Sequence, residues 1–325
     1  MNTLASTETL EDYAVKHGLS GLSFRSIRAL QAGVAGYTLA KAQAFIAFQQ
    51  RIDAELLRHR IITANPYTAW FRQGRQSGAQ LRAFIVQFSV FSNLFLIAQL
   101  HKTINADSLE GMRASKEILA NEIGVVFNAG TQARTAETAV DPQLVSTEGT
   151  VEGGVFRFRA AHFEWLLQIA GRFQLGFNEV GKRRHGTPAT LFFCDELVRL
   201  YGSENYGVSQ AASYAVENWA AAGFWKELIE GFGKYNARTG EGLPLAFFTW
   251  HERLEAQHAQ HTQEELEELY FSRALDEDAF IRYGNEMLDG VAAFWDGLDA
   301  QRKQLPGADG PEPLCLQTPG ALNDP

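Results

Sequence analysis

The segment His251-Glu252-Arg253-Leu254-Glu255-Ala256-Gln257-His258 places two histidines and a glutamate at positions i, i+4 and i+7. At about 100° per residue, these three side chains fall within a sector of about 60° on one face of a helix. Imidazole and carboxylate groups suit Fe(II), and helix bundles hold such irons with inward Glu and Glu-x-x-His groups. Glu255 and His258 form such a pair. The alternative is a polar helix face in solvent, which is what charged faces usually are.

A second candidate ligand is Glu217, the one charged residue in the stretch 211–224 of small and aromatic residues. A buried carboxylate without a partner is costly, so a buried Glu217 implies a nearby cation. The alternative is an exposed Glu217 on a helix of small residues, because glutamate is rarely buried.

Two further candidates precede it in the chain. His162 begins the largely apolar run His162-Phe163-Glu164-Trp165-Leu166-Leu167, which suits an inward ligand. A core histidine satisfied by a hydrogen bond would give the same pattern. Glu122 follows the apolar positions Ile118 and Leu119 of a predicted helix, whereas the competing Glu117 is interpreted as a surface residue.

The candidates together are three carboxylates and three imidazoles on four predicted helices. This number is enough for two metal ions that share one carboxylate and keep positions open for O2 and a substrate. A structural zinc site would more often use cysteine, and Mg²⁺ or Ca²⁺ would avoid three histidines, so iron or manganese is expected. The predicted ligands are Glu122, His162, Glu217, His251, Glu255 and His258.

The periodicity of apolar residues predicts an all-α protein with no alternating strands. Residues 129–154 show no helical period and form a predicted loop insertion, longer than the roughly 12 to 15 residues of ordinary connections. Helices are predicted at 39–60, 77–103, 108–127, 157–175, 187–201, 209–231, 246–275 and 277–305.

Composition limits the domain organisation. The chain has 325 residues, of which 46% are hydrophobic, and its 23 Phe and 6 Trp supply a core that needs no disulfide. We expect an N-terminal helical extension at 1–64 packed on the core, one metal-binding domain at 65–305, and a disordered tail at 306–325 rich in Pro and Gly.

Charge and cysteine content restrict the partners. The net charge is -9 without a long basic run, so a nucleic-acid partner is not expected. Cys194 and Cys315 form neither a disulfide framework nor a metal-spaced pair, which suits the cytoplasm. The apolar segment 84–100 is too polar and too short for a bilayer span, and residues 1–16 lack a secretory signal.

The chain resembles the haem-oxygenase-like diiron oxidases and oxygenases, a superfamily of iron-containing redox enzymes. The resemblance covers residues 65–294, and the helix with His251, Glu255 and His258 is its most specific part. The other parts are Asn65-Pro66-Tyr67, Trp70-Phe71, Gly74, Gln87-Phe88, Asn121-Glu122-Ile123-Gly124, His162 and Glu217.

The resemblance implies a haem-oxygenase-like bundle of about seven core helices that contains no haem. It implies one iron held by His162, Glu217 and His251, and a second held by Glu122, Glu217, Glu255 and His258. Two features depart from the family. Many members carry the first Glu and the first His close together on one helix, whereas the insertion separates them here, and Asp is common at the position of Glu255.

The resemblance also implies a function. The expected enzyme activates O2 to oxidise a small amine- or amino-acid-derived substrate in specialised metabolism, with N-oxygenation favoured, and it can use an external electron donor. A homodimer is expected. Aromatic candidates for the substrate pocket, which at helical spacing are more often core, are Phe88, Phe91, Phe95, Tyr214, Trp219 and Phe224.

Three alternatives remain at this point. A diiron oxidase could instead cleave C-C bonds in, or desaturate, an amino or fatty acid. A metal-free helical interaction protein would need the histidines only as polar residues. A ferritin-like bundle would normally show two Glu-x-x-His pairs, and only Glu255 to His258 is evident among the candidate ligands.

Overall fold

The computed structural model describes residues 9–126, 155–156 and 161–307, without the side chains of residues 110, 126, 155–156 and 254–261. The predicted insertion at 129–154 and the chain from residue 308 onward lie outside the described residues. The described chain is helical apart from a ribbon of two short strands, so the predicted all-α class is confirmed.

Thirteen α-helices follow one another along the described residues. They are α1 (Leu10–His17), α2 (Phe24–Gln31), α3 (Leu39–Glu55), α4 (Arg60–Thr63), α5 (Pro66–Phe71), α6 (Gly78–Ile104), α7 (Leu109–Glu122), α8 (His162–Arg172), α9 (Pro188–Glu196), α10 (Tyr206–Ala220), α11 (Phe224–Thr239), α12 (Ala246–Ser272) and α13 (Glu277–Lys303). Strands β1 (Val125–Val126) and β2 (Val155–Phe156) pair antiparallel, and a π-helical turn, Leu197–Tyr201, continues α9.

Local capping explains where several helices begin. Ser77 caps α6 in a capping box with Gln80, and Ser108 caps α7 by accepting from the backbone N–H of Gly111. Both starts agree with the sequence prediction. The pair Asn65-Pro66 begins α5, because proline fits the first helical position while Asn65 accepts from two backbone N–H groups.

The single helix predicted over 209–231 is wrong, since two helices occupy this range. Helix α10 ends at Ala220, and Gly223 has φ of 98°, a left-handed conformation that glycine adopts without a steric penalty. Phe224 then begins α11 in a new direction. The break therefore separates the aromatic residues at 219 and 224 onto different helices.

Helix α6 runs through the bundle and contacts α7, α8, α9 and α13. Its length and the mean hydropathy of 1.8 over an 18-residue stretch would allow it to cross a membrane, but half of that stretch is buried inside the protein. Core helices of globular proteins have the same properties, and the buried rings of Phe84 and Phe88 belong to the common core. We therefore assign α6 as a core helix.

One continuous apolar core joins the N-terminal helices to the rest of the bundle. Ala14 of α1 and Phe45 of α3 belong to the same cluster of buried residues as Phe88 of α6 and Trp295 of α13. Aromatic rings dominate this cluster, and such rings bury a large apolar area each. The polar groups of the site described below lie inside this aromatic interior.

Two glycines on α11, Gly231 and Gly233, allow a test of how closely α11 packs against α5. A methyl group at Gly231 would overlap the backbone and ring of Phe71 on α5, whereas one at Gly233 would meet nothing within 4 Å. We expect Gly231→Ala to lower the free energy of unfolding by about 1–3 kcal/mol through overpacking. We expect Gly233→Ala to raise it by about 0.5–1 kcal/mol, because alanine favours a helix. Urea denaturation followed by circular dichroism measures both, and equal effects would contradict the close approach of α11 to α5.

Candidate metal centre

The end of α7 and the region before α8 are joined by the β1–β2 ribbon. Val125 pairs with Phe156, and Val126 pairs with Val155. Gly124 has φ of 89°, and this left-handed conformation lets the chain turn from α7 into β1. The chain that leaves after β1 therefore returns beside it, so the insertion does not carry the end of α7 away from the start of α8.

Glu122, the last residue of α7, and His162, the first residue of α8, are hydrogen-bonded to each other. Nδ1 of His162 donates to Oε2 of Glu122 at 2.7 Å, although the two residues are 40 positions apart. The side chain of His162 is only 3% exposed, and that of Glu122 is 11% exposed. A carboxylate can only accept, so the proton lies on Nδ1 and a neutral imidazole carries its lone pair on Nε2.

His251 adopts the same tautomer through a different partner. Its Nδ1 donates at 2.7 Å to the backbone oxygen of Phe247, one turn earlier on α12. A backbone carbonyl also only accepts, so the lone pair of a neutral His251 again lies on Nε2. The ring centroids of His162 and His251 are 4.5 Å apart.

Three predicted ligands therefore converge. Glu122, His162 and His251 each offer one ligand atom, and these atoms all lie within 4.8 Å of one another. Metal-ligand bonds of roughly 2 Å can span such a group. Because Glu122 has two carboxylate oxygens, it can orient His162 through one oxygen and bind a metal through the other.

Glu217 lies on α10 and faces the same cavity. It is buried, with 7% exposure, and it lines the cavity together with Glu122, His162 and His251. The alternative of an exposed Glu217 is therefore wrong. Glu217 does not belong to the group of three within 4.8 Å, so the described side chains bring Glu122, and not Glu217 as the resemblance implies, beside His162 and His251.

The remaining predicted ligands are Glu255 and His258. Both belong to the continuous helix α12, one and about two turns after His251. Their side chains lie outside the described part of the chain, so their roles as ligands stay predictions.

The converging groups border a cavity of about 80 Å³ whose walls are mostly aromatic. Helices α6, α7, α8, α10, α11 and α12 all contribute to it. The lining residues are Phe88, Phe91, Ser92, Phe95, Ile118, Asn121, Glu122, His162, Val216, Glu217, Trp219, Ala220, Trp225, Phe247, Trp250 and His251.

Two of the predicted pocket residues do not line this cavity. Tyr214 is buried elsewhere on α10, where its hydroxyl donates to Oε1 of Gln263 at 3.0 Å. A buried tyrosine hydroxyl needs such an acceptor. Phe224 lies beyond the break at Gly223, and its ring stacks on Trp219. The assignment of Tyr214 and Phe224 to the substrate pocket stays a prediction, while Phe88, Phe91, Phe95 and Trp219 line the cavity.

The sequence reasoning missed the tryptophans that hold the imidazoles. Trp225 stacks on His251 with ring centroids 4.7 Å apart, and Trp250 meets the His162 ring edge-on at 4.8 Å. Trp250 is adjacent to His251 in the chain, so its position on α12 was a usable signal. Trp225 lies on α11, and no local pattern pairs it with His251.

We tested these residues for their fit to a metal ion. Nε2 of His162 is buried and has no hydrogen-bond partner among the described residues. Buried polar atoms nearly always have a partner, so a ligand that accepts this lone pair is expected at Nε2. A carboxylate and two imidazoles are also the donor set that iron and manganese prefer over calcium. The residues present therefore fit a transition-metal ion.

The carboxylate of Glu217 influences the pKa values of Lys102 and Tyr201. Burial lowers the pKa of Lys102, while Glu265 and Glu217 act in the opposite direction. Burial raises the pKa of Tyr201 well above its usual range, and the same two carboxylates raise it further. The amino group of Lys102 donates a hydrogen bond to Ser213, one turn before Glu217 on α10.

Comparisons with solved structures give likenesses in fold. No protein-family model matches the chain, and no curated protein matches it. A solved structure from Shewanella denitrificans, described as a domain of unknown function with a heme oxygenase-like fold, is similar with a TM-score of 0.49 and 14% identity. The match covers 80% of this chain and 92% of that one. The description names the fold that the sequence resemblance implies, and this likeness supports no statement about activity or ligand.

Glu122 and Glu117 provide a matched pair on α7, because Glu122 faces the cavity and Glu117 is exposed. We expect Glu122→Gln to weaken Co(II) binding by about 10- to 100-fold, as loss of a ligand or of a group orienting one does. Glu117→Gln is expected to bind Co(II) as the unaltered protein does. Isothermal titration measures both affinities, and equal affinities for the two variants would show that Glu122 has no part in metal binding.

Proposed function

We propose that the chain is a non-haem diiron oxygenase that oxidises a small amine- or amino-acid-derived substrate with O2, and that N-oxygenation is its reaction. The observation that supports this most is the convergence of Glu122, His162 and His251 within 4.8 Å inside an aromatic cavity. Glu217 lines the same cavity and adds the carboxylate that a two-metal site requires.

In this proposal Glu122, His162, Glu217 and His251 hold the irons together with Glu255 and His258. Bound irons would supply the reduction of O2 and the oxidising power. The protein itself supplies orientation. The carboxylate of Glu122 accepts from Nδ1–H of His162, and the backbone oxygen of Phe247 accepts from Nδ1–H of His251. Each imidazole therefore presents Nε2 as its metal-binding nitrogen.

The walls of the cavity serve a second purpose. Phe88, Phe91 and Phe95 from α6 face the site, and they leave little space for bulk water. A water-poor site strengthens the electrostatic interactions inside it and protects reactive species from side reactions. A homodimer in the cytoplasm, without a nucleic-acid or membrane partner, completes the proposal.

Iron uptake tests the proposal directly. After anaerobic incubation of the full chain with Fe(II) and removal of excess iron, we expect two irons per chain and a change in visible absorption on exposure to O2. His251→Ala should lose at least one iron and the absorption change, because it removes a ligand from the group of three. His101→Ala is the control, since this imidazole is exposed on the last turn of α6.

Either of two results would contradict the proposal. If the unaltered chain takes up no stoichiometric iron, or if His251→Ala and His101→Ala retain the same amount, the site does not hold iron. A metal-free helical interaction protein would then explain the chain better.

A further inference from the structure

A second cavity, open to solvent along the exposed residues Thr63, Ala64 and Pro66, lies next to the site cavity. It measures about 390 Å³ and is bordered by residues 61–66, Thr68 and Ala69 on one side and by Trp219, residues 222–224 and Glu227 on the other. Trp219 is the single residue that lines both cavities. Trp219 therefore lies between them, stacked on Phe224, which lines the second cavity.

The position of Trp219 is fixed by packing. Trp219 is only 3% exposed, and its ring lies on that of Phe224 with centroids 4.7 Å apart and planes at 10°. Phe193 and Trp295 contact it edge-on, with centroids 6.2 Å and 6.4 Å away. A ring packed on three sides in this way is a wall, because close-packed interiors resist rotation of large side chains.

The wall limits the space beside the proposed irons. A volume of 80 Å³ corresponds to about five to eight water-sized groups, and pockets for small organic ligands usually measure about 300–1,000 Å³. The second cavity falls within that range, but Trp219 lies between it and the site. A long aliphatic chain would have to pass through the position of the indole to extend into it.

We infer that Trp219 sets the upper size limit of the substrate, so that the site takes compact amines or amino acids and excludes long-chain fatty acids. This inference rests on the proposed function, because it assumes that the substrate occupies the cavity bordered by Glu122, His162 and His251. The small volume of the site cavity and the position of Trp219 favour an amino acid over a fatty acid as the substrate.

Replacement of Trp219 by a smaller residue tests the inference. Trp219→Leu removes the indole without breaking a hydrogen bond, since Nε1 of Trp219 has no partner among the described residues. Trp165→Leu is the matched control: Trp165 is also buried, its Nε1 also has no partner in that part of the chain, and it lines neither cavity. Trp219→Phe provides a milder change if the leucine variant does not fold.

Binding of dodecanoate to the metal-free full chain, measured by isothermal titration below the micelle concentration, is the readout, with butanoate as the short reference. We expect Trp219→Leu to bind dodecanoate at least about tenfold more tightly than the unaltered chain and Trp165→Leu do, because additional buried methylene groups favour binding. Trp219→Phe should give a smaller gain, and butanoate affinity should change less than about twofold in all variants.

Equal dodecanoate affinity in the unaltered chain and in both position-219 variants would overturn the inference, as would an equal gain in Trp165→Leu. The measurement uses neither iron nor O2. A chain that failed the iron test but gained dodecanoate binding at position 219 would therefore keep the size limit and lose the diiron proposal.

Discussion

The hydrogen bond between His162 and Glu122 joins an imidazole and a carboxylate that are both nearly removed from solvent. Burial of either group alone would be unfavourable, so each needs the other or a bound cation. The bond exists because the β1–β2 ribbon returns the chain from the end of α7 to the start of α8. A glutamate and a histidine thus lie close together in space, although an insertion separates the two residues in sequence.

The surroundings of this pair make its chemistry specific. Trp225 and Trp250 pack against the two imidazoles, and acceptor-only partners determine which nitrogen of each ring carries the proton. In such an interior, electrostatic interactions are stronger than in water. The carboxylate of Glu217 accordingly affects Lys102 and Tyr201, whose pKa values are shifted first by burial and then by this charge.

The interruption between helices α10 and α11 at Gly223 influences the size of the site cavity. By ending α10 and starting α11 in a new direction, it lets Phe224 fold back onto Trp219. The stacked pair then closes the site cavity on that side and leaves the second cavity outside it. One residue with a left-handed backbone conformation thereby contributes to the position of Trp219 beside the site cavity.

The sequence by itself determined the helical class, the starts of helices at Ser77 and Ser108, and the placement of His251, Glu255 and His258 on one helix, because these features depend on residues close together in the chain. It also identified Glu122, His162, Glu217 and His251 as candidates by residue type and apolar flanks. Only the tertiary structure decided which of these groups meet and at what distance. It also decided that Tyr214 does not line the site cavity and that Trp219 lines both cavities. These features depend on contacts between segments distant in sequence, and local patterns contain no information about such contacts.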